Sequence, residues 1–228
     1  MNKYQTKAII VRRIDYGEAD RIVTFVTEGN GMVSALAKGV RKLSSKLAGG
    51  LELFSISNVT FLKGRGELER VISTRLEKHF GEIIKDYDRT KLAYDILKKT
   101  AKRFEHDKTD DGYKLLELSL NQLNDRDINL HVIELWFYLN LLKIYGHQPN
   151  VDRDGSGNPL KEKGTYDFDI EHGAFVAKSN GYYEANHIKT VRLLLDRLPV
   201  QITSINGISE KSGEILPVIR RFSDFWLH

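Results

Sequence analysis

The sequence predicts an α+β protein, a small barrel of strands followed by a helical domain, and three observations carry that prediction. Hydrophobic residues repeat with a period of two over about the first 80 residues and with a period of 3.6 from about Asp88 onward. Turn chemistry at Gly17, Gly29-Asn30-Gly31 and Gly64-Arg65-Gly66 punctuates the first part at the spacing of short antiparallel strands. Between two strand-like runs, the stretch from Gly29 to Leu53 carries Lys38, Arg41, Lys42 and Lys46 and closes at Gly49-Gly50.

Taken in order, Lys3 to Arg13 is rich in Ile and Val with polar ends, and Asp15 to Ala19 supplies a turn. Arg21 to Thr27 is the second expected strand, Met32 to Val40 the third, Leu51 to Leu62 a long fourth and Glu67 to Lys78 the fifth. Five short antiparallel strands in about eighty residues suit an OB-type barrel, which removes exposed strand edges by closing. A domain of that size buries only about 60% of its unfolded surface. It is therefore expected to dock on the helical part of the chain. The boundaries read as a nucleic-acid-binding domain at 1–80 and a helical domain at 81–228.

In the second part, Leu92, Ile96, Leu97 and Thr100 share one helical face, and Tyr113, Leu116, Leu120 and Leu123 share another after the polar cluster Thr109-Asp110-Asp111. Ile128 to Tyr145 is apolar nearly all round, as for a helix covered on several sides, with Gly146 placed to end it and Pro149 barring continuation. Residues 147–183 are rich in Gly, Asp, Asn and Lys, so a small irregular or hairpin-like insert is expected. Helices resume at Asn186 to Leu198 and near Ser209, the last carrying Ile215, Ile219, Phe222 and Trp226. Pro217 predicts that this helix either starts at about Glu214 or kinks.

Composition bounds the function. No run approaches the ~18 to 20 apolar residues of a membrane span, and the N-terminus lacks the pattern of a signal peptide. Cysteine is absent, which excludes disulfides, thiolate nucleophiles and the usual structural zinc site. Residues 1–80 hold 14 Lys plus Arg against 8 Asp plus Glu, and the remainder 21 against 23. The positive charge is concentrated in the N-terminal third, where a polyanion is the natural partner.

Spacing separates the candidate chemistries. Gly29-Asn30-Gly31 and Gly39 lack the spacing of a phosphate-cradling loop. Asp15, Glu18 and Asp20 form a compact carboxylate cluster that a two-metal nuclease would need, but no His or Lys converges on it, and a solvated turn paired with Arg21 is the simpler reading. His147 and His172 flank the insert near Asp152 and Asp154, a weak metal set. The basic set is stronger: Arg12, Arg13, Arg21, Lys38, Arg41, Lys42, Lys46, Lys63 and Arg65 fall largely at the strand ends and turns of the expected barrel. With few aromatics nearby (Tyr16, Phe25, Phe54, Phe61), binding should be dominated by phosphates, tolerant of sequence and sensitive to salt.

With these residues in hand, the chain resembles the bacterial DNA repair and recombination mediator family RecO. The resemblance is an ordered series: AIIVRRIDYGEADRIVTFVTEGNGMVSALAKGVRK, KLAGGLELFSISNVTFLKGRGEL, ELWFYLNLLKIYGHQPNVDRD and IRRFSDFWLH. It implies an OB domain, a helical domain and a binding activity without catalysis. It implies binding of single- and double-stranded DNA, annealing of complementary strands, and help in loading RecA, together with RecR, onto DNA coated by single-strand-binding protein (SSB). A cytoplasmic, nucleoid-associated location is part of the same implication.

By position, Lys38, Arg41 and Lys42 fall on the family's basic loop, with Lys46, Arg12, Arg13, Arg21 and Arg65 in support. The family also receives the acidic, apolar-ended SSB tail in its helical domain, for which Lys143, Arg197, Arg220 and Arg221 are the candidates. Many members carry two CxxC pairs in the insert. The corresponding positions here are Asp154, Gly157, Ala177 and Asn180, so no structural zinc is expected. Three rival readings are an RNA-binding OB protein of the translation apparatus, a metal-dependent nuclease using Asp15, Glu18 and Asp20, and a scaffold that binds only proteins.

Overall fold

The computed structural model describes residues 2–64, 66, 68–104 and 109–227, so Arg65 lies outside the described residues. The chain divides into two compact units, Met1–Asn124 and Asp125–His228.

The first unit opens with five strands: β1 (Asn2–Tyr16), β2 (Asp20–Thr27), β3 (Gly31–Ala37), β4 (Ser55–Lys63) and β5 (Glu69–His79). They close in the order β1-β2-β3-β5-β4, the connectivity of an OB barrel. Closure depends on β1, whose first half pairs with β4 and whose second half pairs with β2. Its register shifts between Ile10 and Arg12, a bulge that lets one long strand bend round the barrel. The seam opposite is the short parallel pairing of Ala35 and Leu36 with Glu69 and Arg70. Along β3 burial alternates strictly, with Val33, Ala35 and Ala37 inside. They meet Ile10, Phe25, Val59 and Phe61 in one core. Each large side chain buried there stabilises the barrel by roughly 1.5–3 kcal/mol.

Three strand boundaries differ from expectation: β1 runs on to Tyr16 instead of ending at Arg13, and the other two lie at the basic loop. The third strand ends at Ala37 instead of Val40 because Gly39 turns the chain at φ +64°. The fourth begins at Ser55 instead of Leu51, after a 3-10 turn at Ala48–Gly50 and Phe54 at φ 56°. Val40, Leu51 and Phe54 are nevertheless buried, as plugs that the connecting loop drives into the barrel end. Apolar loop plugs and strand residues look alike in sequence. At Gly50 a Cβ would sit 2.5 Å from the Thr74 hydroxyl oxygen, so the loop approaches β5 too closely for any side chain.

Helices α1 (Tyr87–Arg103) and α2 (Asp111–Asn124) belong to the same compact unit. The barrel itself ends at His79, whereas the unit that contains it extends to Asn124. Asp86 caps α1 by accepting from the Arg89 N–H at 2.9 Å. The expected faces are the buried ones: Leu92, Ile96, Leu97 and Thr100 on α1, and Tyr113, Leu116, Leu120 and Leu123 on α2. Arg89 is itself buried and donates from Nη1 to the Leu123 carbonyl at 3.0 Å, satisfying the end of α2.

In the second unit, α3 (Leu130–Ile144) is the covered helix that its all-round apolarity predicts. Asn129 caps its start. Gly146 at φ +77° ends it, with Gly146 N–H donating to the Lys143 carbonyl and His147 N–H to the Leu142 carbonyl, the paired bonds of a Schellman stop. The insert contains three strands, β6 (Thr165–Asp169), β7 (Ala174–Ala177) and β8 (Tyr183–Glu184), in the order β7-β6-β8. Phe168 and Phe175 meet edge to face, and Phe168 also meets Phe222. Helix α4 (Ala185–Asp196) follows, then α5 (Ile208–Trp226). The last helix starts at Ile208 and runs through Pro217, although that residue has no N–H for the Gly213 carbonyl. Among the described residues, no helix is long and apolar enough to cross a membrane.

Candidate nucleic-acid interface

From Lys38 to Leu51 the chain holds four cations and no carboxylate. This segment connects β3 to β4, and its base is pinned rather than loose. Asp20 accepts from the Gly39 N–H at 2.7 Å, and the Arg41 N–H donates to the Ala19 carbonyl at 2.9 Å. Further along, the Lys42 N–H reaches the Gly39 carbonyl and the Ser45 N–H reaches the Lys42 carbonyl. These turns fix where the side chains leave the surface.

The cations then separate into two kinds. Lys38, Lys42 and Lys46 are exposed and form no ion pair among the described residues. Arg41 is also exposed, but its Nε lies 3.5 Å from the Asp15 carboxylate and its Nη1 donates to the Gly17 carbonyl. Arg21 pairs with the other Asp15 oxygen at 2.7 Å. Arg13 pairs with Glu52 at 2.6 Å and reaches the Leu51 carbonyl, tying the far end of the loop to β1. Arg12 stands on β1 beyond the bulge and is free of ion pairs among the described residues. The loop lysines and Arg12 are available to an outside anion, whereas Arg13, Arg21 and Arg41 position the surface that carries them. Leu43 stands fully exposed at the loop tip between Lys42 and Lys46.

The same contacts account for the carboxylates. The hydrogen bond from Arg21, foremost, and the charge of Arg41 hold Asp15 below the usual carboxylate range. Asp20 is spent on the Gly39 amide. These are turn-stabilising roles. Among the described residues, no group of three or more His, Asp or Glu side chains converges as a metal site would.

The four candidates in the second unit do not share one arrangement. Lys143 donates to the Leu195 carbonyl near the end of α4, and Arg220 makes a bidentate pair with Glu134, both bonds 2.6 Å. All four are exposed. The histidines also have local roles: His147 stacks on Trp226, with ring centroids 4.6 Å apart, and His172 pairs with Asp169 at 2.9 Å.

At the positions matched to the cysteine pairs, Asp154 accepts from the Ser156 and Asn158 N–H groups, and the Gly157 N–H returns to the Asp154 carbonyl. Around the second pair, Lys178 N–H donates to the Thr165 carbonyl and Gly181 N–H to the Lys178 carbonyl. A turn network thus orders both loops.

Two basic residues outside the sequence-predicted set lie on α1. Lys98 and Lys102 sit four apart and face the same groove as Arg12. The sequence does signal them, since α1 holds six Lys or Arg against two Asp, but the near-neutral balance of residues 81–228 taken together conceals that local excess.

Residues 1–80 match the family described as "Recombination protein O N terminal". The chain is 34% identical over 152 residues to the DNA repair protein RecO of Desulfatibacillum aliphaticivorans, covering 65% of this chain and 58% of that protein. It is 34% identical over 161 residues to the DNA repair protein RecO of Streptomyces griseus, covering 67% and 64%. With the DNA repair protein RecO of Myxococcus xanthus it shares 29% over 185 residues, covering 79% and 74%. The first of these matches spans less than two thirds of the relative's own length. The closed OB barrel thus coincides with the segment that matches the N-terminal domain of recombination protein O, and the chain, which has no cysteine, is similar to these DNA repair proteins RecO.

Proposed function

We propose that this protein is a DNA-binding mediator of recombinational repair that works by binding and not by catalysis. The observation that carries the reading is the acid-free loop of a closed barrel on which Lys38, Lys42 and Lys46 stand without carboxylate partners among the described residues. Each lysine that neutralises a phosphate releases a counterion, so binding is sequence-tolerant and salt-sensitive. Neutralised strands repel each other less, and complementary strands then anneal. Arg41 holds the loop base and lends its charge. Single- and double-stranded DNA are both ligands, since the loop addresses the backbone and not the bases.

On this reading the protein acts in the cytoplasm beside the nucleoid. It works with RecR and helps RecA onto SSB-coated strands, with Lys143, Arg197, Arg220 and Arg221 the candidates for the SSB tail. The insert works without zinc, its loops held by the Asp154 turn and the Thr165–Lys178 bonds.

The test is annealing of SSB-coated complementary oligonucleotides by wild type and by a Lys38/Arg41/Lys42 triple alanine. Annealing that is lost in the variant supports the reading. Annealing that is unaffected moves the DNA site off this loop. No annealing by the wild type, with tight binding to structured RNA instead, would point to the translation apparatus.

A further inference from the structure

From Lys38 to Leu53 the connection between β3 and β4 contains five large aliphatic residues, and four of them turn inward. Val40 and Leu51 belong to the barrel core, and Leu47 and Leu53 pack against it. Leu43 does neither. It is 109% exposed, and the next most exposed large apolar side chain among the described residues, Tyr87, reaches 80%. Two consecutive turns hold it there. The Lys42 N–H donates to the Gly39 carbonyl at 3.1 Å and the Ser45 N–H to the Lys42 carbonyl at 2.9 Å, which puts Leu43 at the first corner of the second turn. The Leu47 N–H then donates to Ser45 Oγ at 3.2 Å. Val40 before the tip and Leu47 after it anchor both sides to the barrel. The chain neighbours of Leu43 are Arg41, Lys42, Ser44, Ser45 and Lys46, so the tip is one apolar point among cations and hydroxyls.

Water surrounds the whole of this side chain, so its burial in a ligand is favourable in proportion to its area. We propose that Leu43 is a wedge that enters duplex DNA between two stacked base pairs while Lys38, Lys42 and Lys46 hold the phosphates around it. The proposal rests on the DNA-binding reading above and adds a step that charge alone does not perform, the local opening of a duplex. Leucine is among the side chains that proteins insert between base steps. A single strand fits the tip less well, because single-strand sites stack bases on aromatic rings and an aliphatic tip offers none. A lipid surface also fits less well, since stable anchoring takes more apolar area than one leucine supplies. Opening a base step costs free energy comparable to what a buried leucine returns, so the wedge stands near balance on a matched duplex. It is tipped toward insertion where stacking and pairing are already weak, as at a mismatch. The preferred ligand is therefore paired DNA with a weakened step. During annealing such a wedge opens mispaired contacts before matched ones, and strands held by the lysines can then shift register.

The test titrates the full chain into a matched duplex that carries 2-aminopurine and into one with a mismatch beside the probe, over a range of salt. Leu43→Ala, Leu43→Phe and a Lys38/Lys42/Lys46 triple alanine accompany wild type. Leu43 lies outside the barrel core, so its variants should unfold in urea as wild type does. Wild-type binding should raise the 2-aminopurine fluorescence, the signature of unstacking, and raise it more beside the mismatch. Leu43→Ala should abolish the rise, weaken binding to the mismatched duplex by about tenfold and leave the salt slope unchanged, because no phosphate contact is lost. Leu43→Phe, which supplies another wedge, should restore the rise. The triple alanine should instead flatten the slope. Wild-type binding without a rise, or a rise that survives Leu43→Ala, overturns the wedge and leaves the DNA-binding reading standing. No DNA binding by the wild type at low salt overturns both. Leu43-dependent binding to phosphatidylglycerol vesicles, with the 2-aminopurine signal indifferent to the substitution, assigns the leucine to a lipid surface and overturns the proposal.

Discussion

The loop from Lys38 to Leu51 and the insert from residue 147 to 183 are both polar, glycine-rich and lysine-bearing, yet they use charge in opposite ways. In the insert, Lys178 pairs with Asp167 and His172 with Asp169, while Arg192 of α4 reaches Asp152 and Lys189 reaches Glu162. These pairs hold a three-stranded sheet and its loops. In the barrel loop the carboxylates stand at the base, and the lysines have none within reach among the described residues. A cluster of basic residues is available to an outside anion when the fold places no carboxylate among them. Composition alone does not separate the two cases.

The sharpest way to break this contrast is to remove the unpartnered charge. A Lys38/Lys42/Lys46 triple alanine should make the salt dependence of single-strand binding shallower by about 2, roughly 0.7 for each phosphate no longer neutralised. Its free energy of unfolding should stay within about 0.5 kcal/mol of wild type, because surface side chains without partners contribute little to stability. An equal slope in fluorescence titrations would show that the loop is as inert as the insert.

The loop should also depend on its close approach to the barrel. Gly50→Ala places a Cβ 2.5 Å from the Thr74 hydroxyl and should destabilise the protein by about 1–3 kcal/mol in urea unfolding. A neutral result would mean that the loop relaxes freely.

Acid should discriminate the regions next. The Lys178 bond lowers the pKa of Asp167, and the His172 bond lowers that of Asp169. Glu214 is likewise lowered by its bonds from Lys211 and His187. A carboxylate depressed in the folded state contributes stability that is complete above its unfolded pKa and lost as pH falls through the folded value. The insert and α5 should therefore lose amide protection as pH drops below about 4, and Asp167→Asn should flatten that acid limb. Asp15 follows the same sign in the barrel through Arg21, so Asp15→Asn should loosen the turn at Gly17 at neutral pH. Hydrogen exchange that is identical in both regions across this range would remove the distinction.

The smallest effect is expected at Arg220. Its pair with Glu134 is bidentate but partly exposed, and Arg220→Ala should cost about 1 kcal/mol or less, with DNA binding unchanged. A marked loss of DNA affinity would place a nucleic-acid contact in the second unit.

Much of the fold can be read along the chain, and the departures have a common origin. Strand alternation in β3, the buried faces of α1 and α2, and the stop at Gly146 are local patterns, each complete within a few residues. Val40, Leu51 and Phe54 mislead because burial in a plug and burial in a strand select the same residue types. At the site, the loop lysines can be found from charge density. Arg13 looks equivalent to them until Glu52 arrives beside it, whereas the pairing of Arg21 with the Asp15 turn is legible in the sequence.

By itself the sequence determined where strands and helices form, that the barrel is small and closed, and that one acid-free basic segment lies between its third and fourth strands. Periodicity, capping and turn chemistry act between near neighbours, so they are written locally. The tertiary structure alone decided which cations remain unpaired, since Arg13 meets Glu52 across 39 residues and Arg220 meets Glu134 across 86. It alone set Arg12 opposite Lys98 and Lys102 across one groove. Those meetings depend on how a bulged strand closes the barrel and how a helix lies along it, and no local pattern encodes a distance between residues so far apart in the chain.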